Sequence, residues 1–225
     1  MPRRTLHLMI LLIILFIGLV PFLYEDHFLL VSMGFVILSL VPFLLRFEGR
    51  KLSSREIVLI AILAAIAAVS RVPFAAIPSV QPTTFVIILS SLVFGAETGF
   101  MIGATAALVS NLFLGQGPWT PWQMMSWGLV GFTAGMLRDT WWMKKRGGQL
   151  VFGFVWGFLF GWVMNLSIVL SFLEEFSWPT FAATYLASAL FDFMHALSNV
   201  FFLAVFGPSW LRILQRFKRK YGLLS

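Results

Sequence analysis

Cysteine is absent from the 225 residues, which excludes a disulfide framework and any thiolate-held metal cluster. Charge is scarce as well. Asp, Glu, Lys and Arg together make up 11% of the chain, against about a quarter in soluble domains. No Gly-x-x-x-x-Gly-Lys-Ser/Thr loop occurs, so hydrolysis of ATP by that route is excluded. Neither a His-Glu-x-x-His zinc motif nor a Gly-x-Ser-x-Gly nucleophile turn is present. The longest polar connections run to about ten residues, too short for a soluble catalytic domain. These absences argue against an enzyme and give no reason to expect a cofactor or a metal.

What is present is apolar. Hydrophobic residues make up 60% of the chain, and the mean hydropathy is +0.92. This is the composition of an all-α polytopic membrane protein. The net charge of +7 does not point to nucleic acid, because the basic residues sit in loops between apolar runs. The expected spans cover 6–24, 28–45, 56–73, 83–94, 100–114, 121–137, 150–172 and 179–206. The first resembles a signal peptide but lacks a small-residue cleavage site, and it is long enough to cross a bilayer, which takes ~20 residues. The polar, basic stretch 46–55 divides the chain. It separates a two-helix membrane extension (1–45) from a main bundle of six helices (56–207), followed by a tail (208–225). In that tail, apolar Trp210, Leu211, Ile213, Leu214 and Phe217 alternate with Arg212, Arg216, Lys218, Arg219 and Lys220. The pattern predicts a basic amphipathic helix on an anionic membrane face.

Eight spans put both termini on one side. Fifteen of the sixteen Lys and Arg residues then fall on that side, and only Arg71 falls on the other. By the positive-inside rule the termini are cytoplasmic, and the turns at 77–82 and 115–121 face outward.

Two helices carry small residues at helical spacing. Ala61 and Ala65, and Ala64 and Ala68, lie four apart; Gly153, Gly157 and Gly161 repeat the pattern later. Such faces let backbones approach closely, either within the bundle or against a partner subunit.

The candidate site centres on Asn111-Leu-Phe-Leu-Gly-Gln-Gly-Pro-Trp-Thr-Pro-Trp-Gln-Met124, an uncharged turn between two apolar helices. Gly115, Gly117, Pro118 and Pro121 end one helix and start the next. Trp119 and Trp122 suit a membrane–water interface, and Asn111, Gln116 and Gln123 add neutral hydrogen-bonding groups at the same level. The turn suits the mouth of a pocket for a large, nearly neutral ligand. It equally describes a helical hairpin with an aromatic belt. Arg71, Gln81 and Trp178 lie at the same outer level. Deeper, Asp192 sits ~18 Å into the last span, with His195 and Asn199 on the same helical face. Ionisable residues at that depth are costly unless paired. Asp192 and His195 could pair with each other or with Asn165, as a structural tie, or could serve substrate binding or proton movement.

Residues 56–207 resemble the substrate-binding S component of energy-coupling factor (ECF) vitamin transporters, with its six-helix membrane core. The run 61–68 stands at the Ala-x-x-x-Ala position of the family's first core helix. Pro78-Ser-Val-Gln-Pro82 and the apolar span ending in Phe94-Gly95 resemble its first outer loop and second helix. The segment 110–124 resembles that of cobalamin-type members. The resemblance implies a vitamin-capturing subunit in a bacterial or archaeal cell membrane. Its implied partners are a transmembrane coupling subunit, docking on Ala61, Ala64, Ala65 and Ala68, and two cytoplasmic ATPase subunits. In the family the S component is thought to topple in the membrane to release its substrate inward. With amides, indoles and one cation in the presumed pocket, cobalamin or cobinamide ranks first, ahead of riboflavin or another vitamin. A doubly charged pyrophosphate ligand fits poorly with a single Arg. The alternative is a self-sufficient proton-coupled transporter working through Asp192 and His195.

Overall fold

The structure, a computed structural model, describes residues 52–172 and 177–222, together with residues 34, 37, 38, 40, 41 and 45. The predicted first span, the turn after it and most of the 46–55 linker lie outside the described residues. Of the extension, Leu40 is buried against Phe100 and Ala104. The described main bundle contains six helices: α1 (Ser54–Val69), α2 (Thr83–Phe94), α3 (Ala96–Leu114), α4 (Thr120–Leu137), α5 (Arg146–Phe172) and α6 (Trp178–Tyr221). A short 3-10 turn, Val72–Phe74, follows α1. Four of these helices, α1 with that turn, α3, α5 and α6, are long and apolar enough to cross a membrane.

α1 starts where the sequence places a cap. Ser53 accepts from the Glu56 main-chain N–H, and the Glu56 carboxylate accepts from the Ser53 N–H at 2.7 Å, closing a capping box. α2 is the axis of the bundle. All of its residues except Leu92 are buried, Thr and Ser included. At ~1.5 Å per residue its twelve residues are too short to cross a bilayer, but neighbours rather than lipid surround it. Thr83 donates to the Ala67 carbonyl at 2.7 Å and ties the start of α2 to the end of α1. Gly95 alone joins α2 to α3, with φ of +96°, a conformation that favours glycine. α3 therefore begins at Ala96, earlier than the apolar run predicts.

α3 and α4 pack backbone to backbone. A Cβ on Gly99 would meet the Gly131 carbonyl oxygen at 2.7 Å, and one on Gly103 would collide with the Trp127 main chain. α5 and α6 form an antiparallel hairpin on the predicted glycine stripe. Gly153 faces Leu203 and Asn199, Gly157 faces Ala196, and Gly161 faces Asp192.

The last helix departs from expectation. It runs for 44 residues, about 66 Å, straight through Pro208. The tail is thus a continuation of α6, not a separate helix lying on the membrane. Part of its apolar side is taken up by the bundle: Leu214 is buried, Trp210 meets Phe85 edge-on at 5.6 Å, and Lys218 donates to the Val93 carbonyl at the end of α2 at 2.9 Å, while Ile213, Phe217 and Tyr221 stay exposed. The tail, the start of α1, the α2–α3 junction and Arg138 share one end of the bundle. Arg71 and the α3–α4 turn share the other.

Candidate functional site

Three polar assemblies run through the apolar bundle. The first is built on Arg71, just past the C-terminus of α1, at the end of the bundle away from the tail. Its Nη1 donates to Ser110 Oγ at 2.5 Å and to Asn111 Oδ1 at 3.1 Å, and its guanidinium lies 4.7 Å over the Trp127 ring. Arg71 is 9% exposed, and no carboxylate pairs with it among the described residues. Asn111 is almost fully buried and uses its whole amide: Oδ1 accepts from Arg71, while Nδ2 donates to Thr120 Oγ1 at 3.1 Å and Gln123 Oε1 at 2.7 Å. Thr120 Oγ1 donates in turn to Gln116 Oε1 at 2.8 Å and accepts from the Gly117 N–H at 3.3 Å. Gln116 Nε2 donates to the Leu108 carbonyl. The turn between α3 and α4 is therefore locked to both helices by side-chain amides. Gly117 lies beside the Trp119 ring, where a Cβ would overlap it.

This assembly opens on a recess of about 370 Å³, lined by Arg71, Phe74, Ala75, Leu114 and residues 77–81. Its rim holds Ser79 at φ of +59°, the one non-glycine residue with positive φ among those described. Strained backbone of this kind persists where surrounding structure fixes it, commonly at binding sites. Pro78 and Pro82 bracket the strained residue. Gln81 donates its N–H to Ser198 Oγ at 3.1 Å, while its side-chain Oε1 is buried with no partner. A guanidinium has five N–H donors. Nη1 spends its two within the protein, and Arg71 is also part of the recess lining.

The second assembly lies inward of the first. His195 Nε2 is 2.9 Å from Thr84 Oγ1, which also accepts from the Trp127 indole N–H at 3.1 Å. Phe160 stands edge-on to the imidazole at 5.0 Å. Through Trp127 this group adjoins Arg71.

The third assembly belongs to the α5–α6 hairpin. Asn165 Nδ2 donates to Ser188 Oγ at 2.5 Å, and Ser188 Oγ lies 3.1 Å from Asp192 Oδ2. The Asp192 carboxylate fills the notch left by Gly161. Asp192 and His195 share a helical face yet bond to different partners. The pairing of Asp192 toward Asn165 runs through Ser188, and a direct Asp192–His195 bond is not formed among the described residues.

Of the residues singled out in the sequence, Arg71, Asn111, Gln116 and Gln123 come together, but only Arg71 and Gln81 line the recess itself. Trp119 is 41% exposed beside the turn, whereas Trp122 is buried with its indole N–H unpartnered. Asn165 and Asp192 stand apart from the recess. The hydroxyls of Ser110, Thr120, Thr84 and Ser188, and the Trp127 ring, escaped sequence reasoning. Ser and Thr are common in membrane helices, and only Trp127, an indole deep in an apolar run, carries a local signal.

The four alanines of α1 do not form one free face. Ala64 and Ala68 are buried in the core, while Ala61 and Ala65 are exposed. A helix of 3.6 residues per turn places the two pairs on either side of the packing boundary. Only Ala61 and Ala65 remain open to a partner.

The apolar helices and the gathering of basic residues at one end define a multi-pass membrane protein. Residues 51–215 match the family described as the S component of ECF-type riboflavin transporters, and the chain belongs to that family, which is one of transport subunits and not of enzymes. A UPF0397 protein of Vibrio atlanticus is 34% identical over 89 residues, covering 37% of this chain and 48% of that protein. UPF0397 proteins of Aliivibrio fischeri and Aliivibrio salmonicida are 34% identical over 90 residues, covering 38% of this chain and 49% of each. The chain spans about half the length of the curated relatives it matches. No solved structure matches it.

Proposed function

We propose that this protein captures a vitamin from the outer side of the membrane and passes it inward in partnership with a transmembrane coupling subunit and cytoplasmic ATPases. The observation that carries the reading is Arg71: a buried cation, held by Ser110 and Asn111, that also lines a recess at the same end of the bundle. Such a group recognises a carbonyl-rich or singly anionic ligand, and Phe74 supplies an apolar wall.

Within that class we rank riboflavin ahead of the corrinoid suggested by the 110–124 segment. The family match favours a flavin. Size favours it too, since about 370 Å³ is near the low end of the ~300–1,000 Å³ typical of small-molecule pockets. A corrinoid is several times bulkier than a flavin and would require the recess to enlarge. Flavin carbonyl oxygens would accept from Arg71, and residues 77–81 would line the other side of the ligand. Ala61 and Ala65 would meet the coupling subunit.

Uptake of labelled riboflavin by cells lacking other flavin importers tests the whole reading. Uptake should need the coupling subunit and its ATPases and should survive collapse of the proton gradient. Uptake without ATPases that stops with the gradient would move the function to a proton-coupled carrier.

A further inference from the structure

At the end of the bundle opposite the recess, a narrow slot of about 360 Å³ opens between the start of α1 and the end of α6. Val58, Leu59 and Ile62 form one wall, and Phe217 and Tyr221 the other. The two rings stand 5.7 Å apart. On the far side of the same two rings lies a second, more polar recess lined by Ile213, Arg216 and Lys220. Arg55 stands at the edge of the slot itself. One aromatic wall therefore separates an apolar channel from a basic cup.

The charge here is unbalanced. Residues 208–222 contain five basic and no acidic side chains. Two of the five are engaged elsewhere: Lys218 holds the Val93 carbonyl, and Arg212 bonds to Pro208 and Ser209. Arg55 and Arg216 have no hydrogen-bond or ion-pair partner among the described residues, and Lys220 only leans on the Tyr221 ring, 5.2 Å from its centre. Glu56, the nearest acid in sequence, is turned back onto Ser53 by the capping box.

We propose that this paired slot and cup bind an anionic glycerophospholipid of the inner leaflet. One acyl chain lies between Val58, Ile62 and Phe217, the phosphate is held by Arg216 and Lys220, and Arg55 adds positive charge at the edge of the slot. A lipid is favoured over a protein segment because a mainly apolar slot and a recess carrying Arg216 and Lys220 lie on either side of one aromatic pair, at the membrane end where basic residues collect. The site explains why the tail, although continuous with α6, keeps a basic face. It is independent of which vitamin is carried.

The test uses the full-length protein in nanodiscs made from equal parts of palmitoyl-oleoyl phosphatidylglycerol and phosphatidylcholine. After mild detergent extraction, retained lipids are counted by native mass spectrometry. The unaltered protein should retain phosphatidylglycerol selectively. Each basic side chain near an anionic surface contributes about fivefold, so the double variant Arg216→Gln, Lys220→Gln should lose about twenty-five-fold in retention. Ile62→Trp, which fills the slot and leaves the charges in place, should lose retention as well. An unchanged thermal midpoint for either variant separates lipid loss from unfolding. Equal retention of both lipids, or undiminished phosphatidylglycerol in the two variants, would overturn the proposal. So would a slot that Ile62→Trp closes to the coupling subunit while lipid retention stays the same.

Discussion

Arg146 Nη2 donates to the main-chain carbonyl of Ala204 at 2.5 Å, and Ala204 is the residue whose helical acceptor Pro208 leaves vacant. Proline has no N–H to give to the carbonyl four residues back. An arginine from the start of α5 takes the place of that N–H, and α6 passes through Pro208 unbroken. The same contact pins the start of α5 to α6.

This relationship predicts non-additivity. Pro208→Ala restores a helical N–H and should raise the thermal midpoint, since an interior proline costs about 3 kcal/mol in a helix. Arg146→Ala alone should destabilise by about 1 kcal/mol, the scale of a net hydrogen bond at an exposed site. In the Pro208→Ala background the loss should fall toward zero. A double-mutant cycle on thermal unfolding in detergent measures the coupling, and strict additivity would show that the contact does not hold the helix.

Glycine stripes predict steric sensitivity at chosen points. Gly157→Leu should destabilise by at least about 1–3 kcal/mol, because the Ala196 main chain leaves no room for a side chain. Gly147→Ala, with nothing near its Cβ position, should change stability little. Thermal midpoints of the two variants, compared with the parent, decide the matter.

The split alanine face predicts two different outcomes from the same substitution. Ala64→Trp enters the core and should unfold or severely destabilise the bundle. Ala61→Trp sits on the exposed side and should leave the thermal midpoint and vitamin binding close to the parent, while abolishing co-purification with the coupling subunit. Retained co-purification would place the docking surface elsewhere.

Asn111 predicts a joint loss of order and affinity. Asn111→Ala leaves an Arg71 donor, a Thr120 acceptor and the Gln123 carbonyl without their shared partner. A buried polar group left unpaired costs about 1–3 kcal/mol, so ligand affinity should fall about tenfold or more and the thermal midpoint should drop. Asn111→Asp tests the chemistry separately: it keeps the acceptor for Arg71 and loses both donors.

Much of the architecture was legible because membrane helices advertise themselves by length and composition. The bounds of α2 follow directly from Pro82 and Gly95, and the glycines 153, 157 and 161 mark the face that α6 covers. The continuation of α6 was not legible: Gly207-Pro208 reads as a stop, and only the distant Arg146 makes the passage tolerable. In the site, Arg71 and Asn111 stood out as polar residues in apolar surroundings. Their connection did not, because 40 positions separate them in sequence and nothing local reports a contact across that distance. Asp192 and His195, adjacent on one helical face, invited pairing; the notch at Gly161 and the hydroxyl of Thr84 draw them to different partners.

The most direct test of the account is a titration of the detergent-purified protein with riboflavin, followed by quenching of flavin fluorescence, beside the Arg71→Met variant and with cyanocobalamin as competitor. The account predicts saturable binding at one flavin per chain. It predicts that Arg71→Met, folded by thermal melt, binds about thirtyfold more weakly, since hydrogen bonds to a charged group contribute about 2 kcal/mol. Cyanocobalamin should compete poorly. Full riboflavin affinity in Arg71→Met would contradict the site, and tight binding of the corrinoid with none of the flavin would contradict the substrate.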